Sequence, residues 1–156
     1  MPIPIVNSIA SWFLKKRFHQ IELFIKYPNE VQNELLLDLI DEARDTEIGR
    51  QYDFNSIESY EEFANRVPIL AYEEYESLIE RSRRGESNIF WPGPIKWFAK
   101  SSGTTNSKSK FIPVSSDSLE DCHYAAGKDL LCLYLNNNEN SQLFTGKSLR
   151  LGGSKE

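Results

Sequence analysis

The chain has 156 residues and a formal net charge of -5, from 18 basic and 23 acidic side chains. That balance gives no global attraction for polyanions, so nucleic acid is not expected as a partner. A chain of this length folded as one domain would bury roughly 70% of its unfolded surface, enough for a real core. The N-terminus carries Ile3, Ile5, Val6, Ile9, Trp12, Phe13 and Leu14, but the cationic run Lys15-Lys16-Arg17 follows these apolar residues. A secretory signal has the opposite order, and no stretch is long enough to span a bilayer. The expectation is therefore a cytoplasmic protein with no membrane partner.

From about Ser8 to Arg84 the periodicity is helical. Leu14, Phe18, Ile21 and Ile25 recur at helical spacing until Pro28 marks a break. A second helix follows with Val31, Leu35, Leu36, Leu39, Ile40 and Ala43 on one face, fading before Gly49. A third presents Tyr60, Phe63, Ala64 and Val67 and stops at Pro68, with Ser59 and Glu62 spaced as a capping box. The fourth, from about Tyr72 to Arg84, has Glu73, Glu74 and Glu76 early and Arg81, Arg83 and Arg84 late, the polarity a helix dipole favours, with Gly85 placed to cap it. Tyr72, Tyr75, Leu78 and Ile79 stand at core spacing. The arginines of Arg81-Ser82-Arg83-Arg84 read as serving dipole and solvent rather than binding an anion.

Trp91-Pro92-Gly93-Pro94 then changes the pattern to strand, with Ile95 to Lys100 and Lys110 to Val114 as the pair. After Ser115-Ser116-Asp117, which can cap a helix, Leu119, Cys122, Ala126, Leu130 and Leu133 mark another helical face, and Leu143-Phe144-Thr145 would begin a further strand. Cys122 and Cys132 are too far apart on that helix to bridge, have no partners for a metal, and read as two buried thiols. His123 and His19 lack a carboxylate or nucleophile at diagnostic spacing and read as structural or surface residues. Gly146-Lys147-Ser148 is not the end of a Walker loop, because Ser141 occupies the position where that motif needs glycine.

The segment between the two strands carries the chemistry. In Ser101-Ser102-Gly103-Thr104-Thr105-Asn106-Ser107-Lys108-Ser109-Lys110, hydroxyls and backbone amides are donors. Gly103 lets the main chain approach a ligand, and the ammonium groups of Lys108 and Lys110 neutralise phosphate oxygens. Flanking strands would pin such a loop for binding phosphate; the same composition also suits a Ser/Thr linker.

The core Ser101 to Thr105 after Phe98 resembles the nucleotide-phosphate motif of the acyl-adenylate-forming superfamily, which includes acyl-CoA ligases and luciferases. The longer loop, closing as Lys110-Phe111-Ile112-Pro113, is similar to one branch, the auxin-responsive (Gretchen Hagen) family of acyl-acid amido synthetases. The likeness extends upstream through Val67-Pro68-Ile69-Leu70-Ala71-Tyr72-Glu73, the turn at Gly85, and Pro94-Ile95-Lys96-Trp97-Phe98. In that branch Ser107 is commonly Gly.

The resemblance implies an α/β fold in which an N-terminal helical layer, 1–90, leads into the first strands of an adenylate-forming large domain. Residues 91–156 would then run strand, loop, strand, helix, strand. It implies ATP with Mg2+, a carboxylic acid and an amino acid as substrates, and Ser101, Ser102, Gly103, Thr104, Thr105, Lys108 and Lys110 as ATP- and phosphate-binding residues. Adenine-binding, metal-binding and acyl-pocket segments would lie beyond Glu156, so residues 1–156 are expected to be an N-terminal piece, inactive alone. An acyl-CoA ligase and a noncatalytic helical binding module are the alternatives.

Overall fold

A computed structural model describes residues 4–101 and 109–138, together with 140, 141, 143, 147 and 149. They belong to two compact units, one formed by the chain ends and one by residues 27–124.

In the first unit, helix α1 (Pro4–Lys26) packs against helix α6 (Ala125–Asn137). α1 begins at Pro4 rather than near Ser8, and proline suits a first helical turn, where its missing N–H has no partner to lose. Ile21, Cys132 and Leu135 are buried here. Arg17 Nε donates to Asp129 Oδ1 at 2.6 Å, a partly buried pair, and burial pushes the Cys132 thiol pKa up.

The second unit holds helices α2 (Pro28–Ala43), α3 (Glu47–Gln51), α4 (Tyr60–Arg66) and α5 (Tyr72–Arg83), with a 3₁₀ turn over Phe54–Ser56. Strands β1 (Trp97–Lys100) and β2 (Phe111–Val114) pair antiparallel, Trp97 opposite Val114 and Lys100 opposite Phe111. The described architecture is thus mostly helical with one two-stranded hairpin. Its core is Ile40, Ala43, Phe54 and Ile57, with Leu36, Ile48, Phe63 and Trp91 packed against it.

α2 uses a narrower stripe than its sequence offers. Leu36, Ile40 and Ala43 face the core, while Leu35 and Leu39 are exposed. α3 is too short to show a period and was not foreseen. Its capping residue Thr46 is buried, donates through Oγ1 to Ala43 O at 2.7 Å and accepts from the Gly49 N–H at 3.0 Å. The first-turn amides of Glu47 and Ile48 donate to the carbonyls of Asn88 and Ile89, so the helix start is satisfied by a loop distant in sequence.

The caps predicted for α4 and α5 form. Ser59 Oγ accepts from the Glu62 N–H at 3.2 Å, although the Glu62 carboxylate takes the amide of Glu58 rather than that of Ser59. At the end of α5, Gly85 has φ +92°, its N–H donates to Ser82 O, and the Glu86 N–H reaches Arg81 O. This is the left-handed closure that glycine makes at least cost.

The helix after β2 also starts as expected, with Ser115 Oγ accepting from the Ser118 N–H at 2.9 Å. Its first turns, Ser118–Tyr124, are π-helical. Against α1 the inward positions of α6 include Ala125, Asp129 and Cys132, one residue earlier than Ala126, Leu130 and Leu133. Cys122, within the π-helical segment, is exposed, which corrects the expectation of two buried thiols. Leu143 lies in a turn; Phe144 and Thr145 are outside the described residues.

Arg81 does more than serve a dipole. Its guanidinium forks onto Glu47 at 2.9 and 2.7 Å and also bonds Glu86, tying α3 to the end of α5. These bonds hold the Glu47 and Glu86 carboxyls below their usual pKa. A depressed carboxylate pKa contributes stability above the ordinary range near 4.3 and loses it as pH falls through the lowered value. Arg81→Met should therefore lower the melting temperature at neutral pH and flatten its decline between about pH 5 and 3, a comparison read from melting curves.

Candidate functional site

β1 and β2 bring the two ends of the Ser/Thr segment face to face. The Ser101 N–H donates to Lys110 O at 2.9 Å, and the Lys110 N–H donates to Ser101 Oγ at 3.2 Å. That second bond uses a lone pair of Ser101, leaving its hydroxyl hydrogen free to donate elsewhere. Of the predicted site residues, Ser101 and Lys110 are placed in this way at the hairpin mouth. Ser102, Gly103, Thr104, Thr105 and Lys108 lie outside the described residues.

α5 packs against β2 and supplies the neighbours of Lys110. Lys110 Nζ is 2.9 Å from Glu73 Oε1 and 4.8 Å from the centre of the Tyr72 ring. Tyr72 Oη accepts from the Phe111 N–H at 3.0 Å. The Lys110 ammonium holds the Glu73 carboxyl below the usual carboxylate range. Further along, the Arg83 guanidinium stacks 3.7 Å over the Phe111 ring and bonds Glu80 at 2.6 Å.

Between α5 and the hairpin runs an open groove of about 530 Å³, with Tyr72, Glu76 and Arg83 on one wall and Lys100, Ser109 and Phe111 on the other. An adjoining apolar cleft of about 350 Å³ is lined by Leu70, Tyr75, Ile79 and Phe90 with Ile112 and Pro113. Tyr75 meets Phe90 edge-on at 6.1 Å, and desolvation pushes its phenol pKa up. The stripe read as core is therefore core on one side and groove wall on the other. Lys100, Lys110 and Arg83 stand here beside Glu73, Glu76 and Glu80, with Glu73 bonded to Lys110 and Glu80 to Arg83, so an anionic ligand would have to share these cations with carboxylates already in place.

Other sequence candidates stand apart from this cluster. His123 is exposed beside the Tyr124 ring, and His19 is exposed 3.6 Å from Glu22. Among the described residues no group of three His, Cys, Asp or Glu side chains could hold a metal ion, and no helix is long and apolar enough to cross a membrane. The sequence reading missed Glu73, which it assigned to the dipole, and gave Tyr72 only a packing role. Their adjacency in the motif Ala71-Tyr72-Glu73 was the available signal.

The family model described as the GH3 family N-terminal domain matches residues 17–156, which include both strands of the hairpin and all of α5. The chain belongs to the GH3 family. The auxin-responsive family resembled by the loop and its upstream landmarks is thus the chain's own. Among relatives, this GH3 chain is 31% identical over 107 residues to the indole-3-acetic acid-amido synthetase GH3.5 of Arabidopsis thaliana, covering 68% of the chain and 18% of the relative. It is 28% identical over 117 residues to the jasmonoyl-L-amino acid synthetase JAR4 of Nicotiana attenuata, covering 74% and 20%. It is 33% identical over 91 residues to a probable indole-3-acetic acid-amido synthetase, GH3.2, of Oryza sativa subsp. japonica, covering 58% and 15%. The matches thus span a fifth or less of the length of these relatives.

Proposed function

We propose that residues 1–156 are the N-terminal part of an ATP-dependent acyl-acid amido synthetase, forming a helical layer and the first strands of an adenylate-forming large domain. The observation that carries this reading is a GH3-family chain whose Ser/Thr segment is closed by the Ser101–Lys110 pair at the mouth of a hairpin. Family membership supports the synthetase class, and the sequence of the segment supports its role with phosphate.

In the proposed reaction a carboxylate oxygen attacks the α-phosphorus of Mg2+-bound ATP and pyrophosphate leaves. The amine of an amino acid then attacks the acyl carbon, forming the amide as AMP departs with the bonding electron pair. In-line displacement spreads charge over phosphate oxygens, so fixed donors aimed there lower the barrier without reorganising. Ser101, Ser102, Thr104 and Thr105 would give hydroxyl and amide donors, Gly103 clearance, and Lys108 and Lys110 compensating charge.

The test is acid-dependent exchange of labelled pyrophosphate into ATP by the product of the complete reading frame. The acid panel includes indole-3-acetic and jasmonic acids, followed by amide formation with amino acids. Exchange followed by conjugate supports the reading. Exchange followed only by thioester formation with coenzyme A would replace it with an acyl-CoA ligase, and no exchange across a broad panel would leave a binding module.

Lys110→Ala should raise the KM for ATP several-fold with a smaller change in kcat. The effect should shrink in high salt, where screening already weakens attraction between exposed charges, and steady-state kinetics at two ionic strengths checks it.

A further inference from the structure

We propose that Tyr72 is a positioning residue for nucleotide binding, which supports the Lys110 ammonium on its ring and fixes the start of β2 through its hydroxyl; this rests on the phosphate role proposed for Lys110. The observation is the double engagement of one side chain. The Tyr72 ring centre lies 4.8 Å from Lys110 Nζ, while its Oη accepts the N–H of the next residue, Phe111, at 3.0 Å. Tyr72 itself sits in the first turn of α5, a turn held by the Glu74 carboxylate accepting from the Ala71 N–H at 2.7 Å.

A lysine head rides on a flexible four-carbon stem, whereas a tyrosine ring has only two torsions to order and an attractive face for a cation. Resting the ammonium on that face lowers the number of arrangements it must give up when phosphate arrives. Glu73 Oε1 takes one N–H of the ammonium at 2.9 Å, which among the described residues leaves two of its three donors for phosphate oxygens. The geometry therefore prepares the cation without saturating it.

The full-length protein tests this with Tyr72→Phe, which keeps the ring and removes the hydroxyl, and Tyr72→Met, which removes both. Tyr72→Met should raise the KM for ATP about threefold, and by no more than Lys110→Ala does, with kcat within about twofold of the parent. Tyr72→Phe should raise the KM by less than Tyr72→Met but measurably, because the ring still carries the ammonium while the Phe111 N–H loses its acceptor. In a Lys110→Ala background Tyr72→Met should add nothing, since its effect runs through that lysine.

A second readout needs no change at Tyr72. With lysines reductively methylated with carbon-13, the Lys110 signal, identified by its loss in Lys110→Arg, should sit upfield under the ring current and move on addition of Mg-ATP. Overturning results are an unchanged KM in folded Tyr72→Met, a Tyr72→Met effect undiminished without Lys110, or a Lys110 signal with no ring shift. If Lys110→Ala itself leaves the KM unchanged, the phosphate role of Lys110 falls and this proposal falls with it. A parent without acid-dependent exchange would sink the synthetase reading itself.

Discussion

Gly49→Ala should destabilise the chain by about 3 kcal/mol, the upper part of the usual range for overpacking. A Cβ built at Gly49 would lie 2.1 Å from Ala43 O and 2.7 Å from Arg44 O. Both obstacles are backbone, so no rotamer change relieves the clash. The nearer carbonyl is not free to move, because Ala43 O accepts the buried Thr46 hydroxyl at 2.7 Å and the Thr46 N–H at 3.0 Å. Gly127→Ala is the internal comparison: a Cβ there meets nothing within 4 Å, and the residue lies within α6. Replacing a helical glycine by alanine should stabilise by about 0.5 to 1 kcal/mol. Denaturant unfolding of the two variants beside the parent checks both signs; equal midpoints for Gly49→Ala and the parent would refute the packing argument.

In the full-length protein, Ser102→Ala and Thr104→Ala should each slow pyrophosphate exchange about a hundred- to a thousandfold, or roughly 3 to 4 kcal/mol, the loss typical of one transition-state donor in a water-excluded site. Thermal stability should barely change, since loop hydroxyls contribute little to folding. Gly103→Val should be worst, because a branched side chain both blocks phosphate approach and restricts the turn. Exchange at the parental rate in all three would remove the loop from the chemistry.

Much of this was legible in the sequence for local reasons. Helix starts and stops at Pro28, Ser59 and Gly85 were readable because caps and turns use residues adjacent in sequence, as the Ser59–Glu62 bond and the Gly85 closure show. The hairpin was readable because two apolar runs flank a polar loop, and Ser101 and Lys110 close it with one backbone bond and one bond from the Lys110 N–H to the Ser101 hydroxyl oxygen. The family was readable from the ordered landmarks around that loop.

Other features depended on groups brought together from far along the chain. That Leu36 faces the core while Leu35 faces solvent was set by the elements packed around α2, since a wide stripe fits more than one orientation. The short helix α3 exists because Asn88 and Ile89 carbonyls meet its first amides and Arg81 meets Glu47, contacts invisible to a local period. The inward face of α6, one residue off the predicted stripe, was set by its packing on α1, a helix from the other end of the chain. By itself the sequence determined the longer helices and the hairpin, because propensity, capping and pairing act between near neighbours. Only the tertiary structure placed Tyr72 and Glu73 on Lys110, because a cation's partners are chosen by distance in space, and here they come from a helix that precedes the whole hairpin.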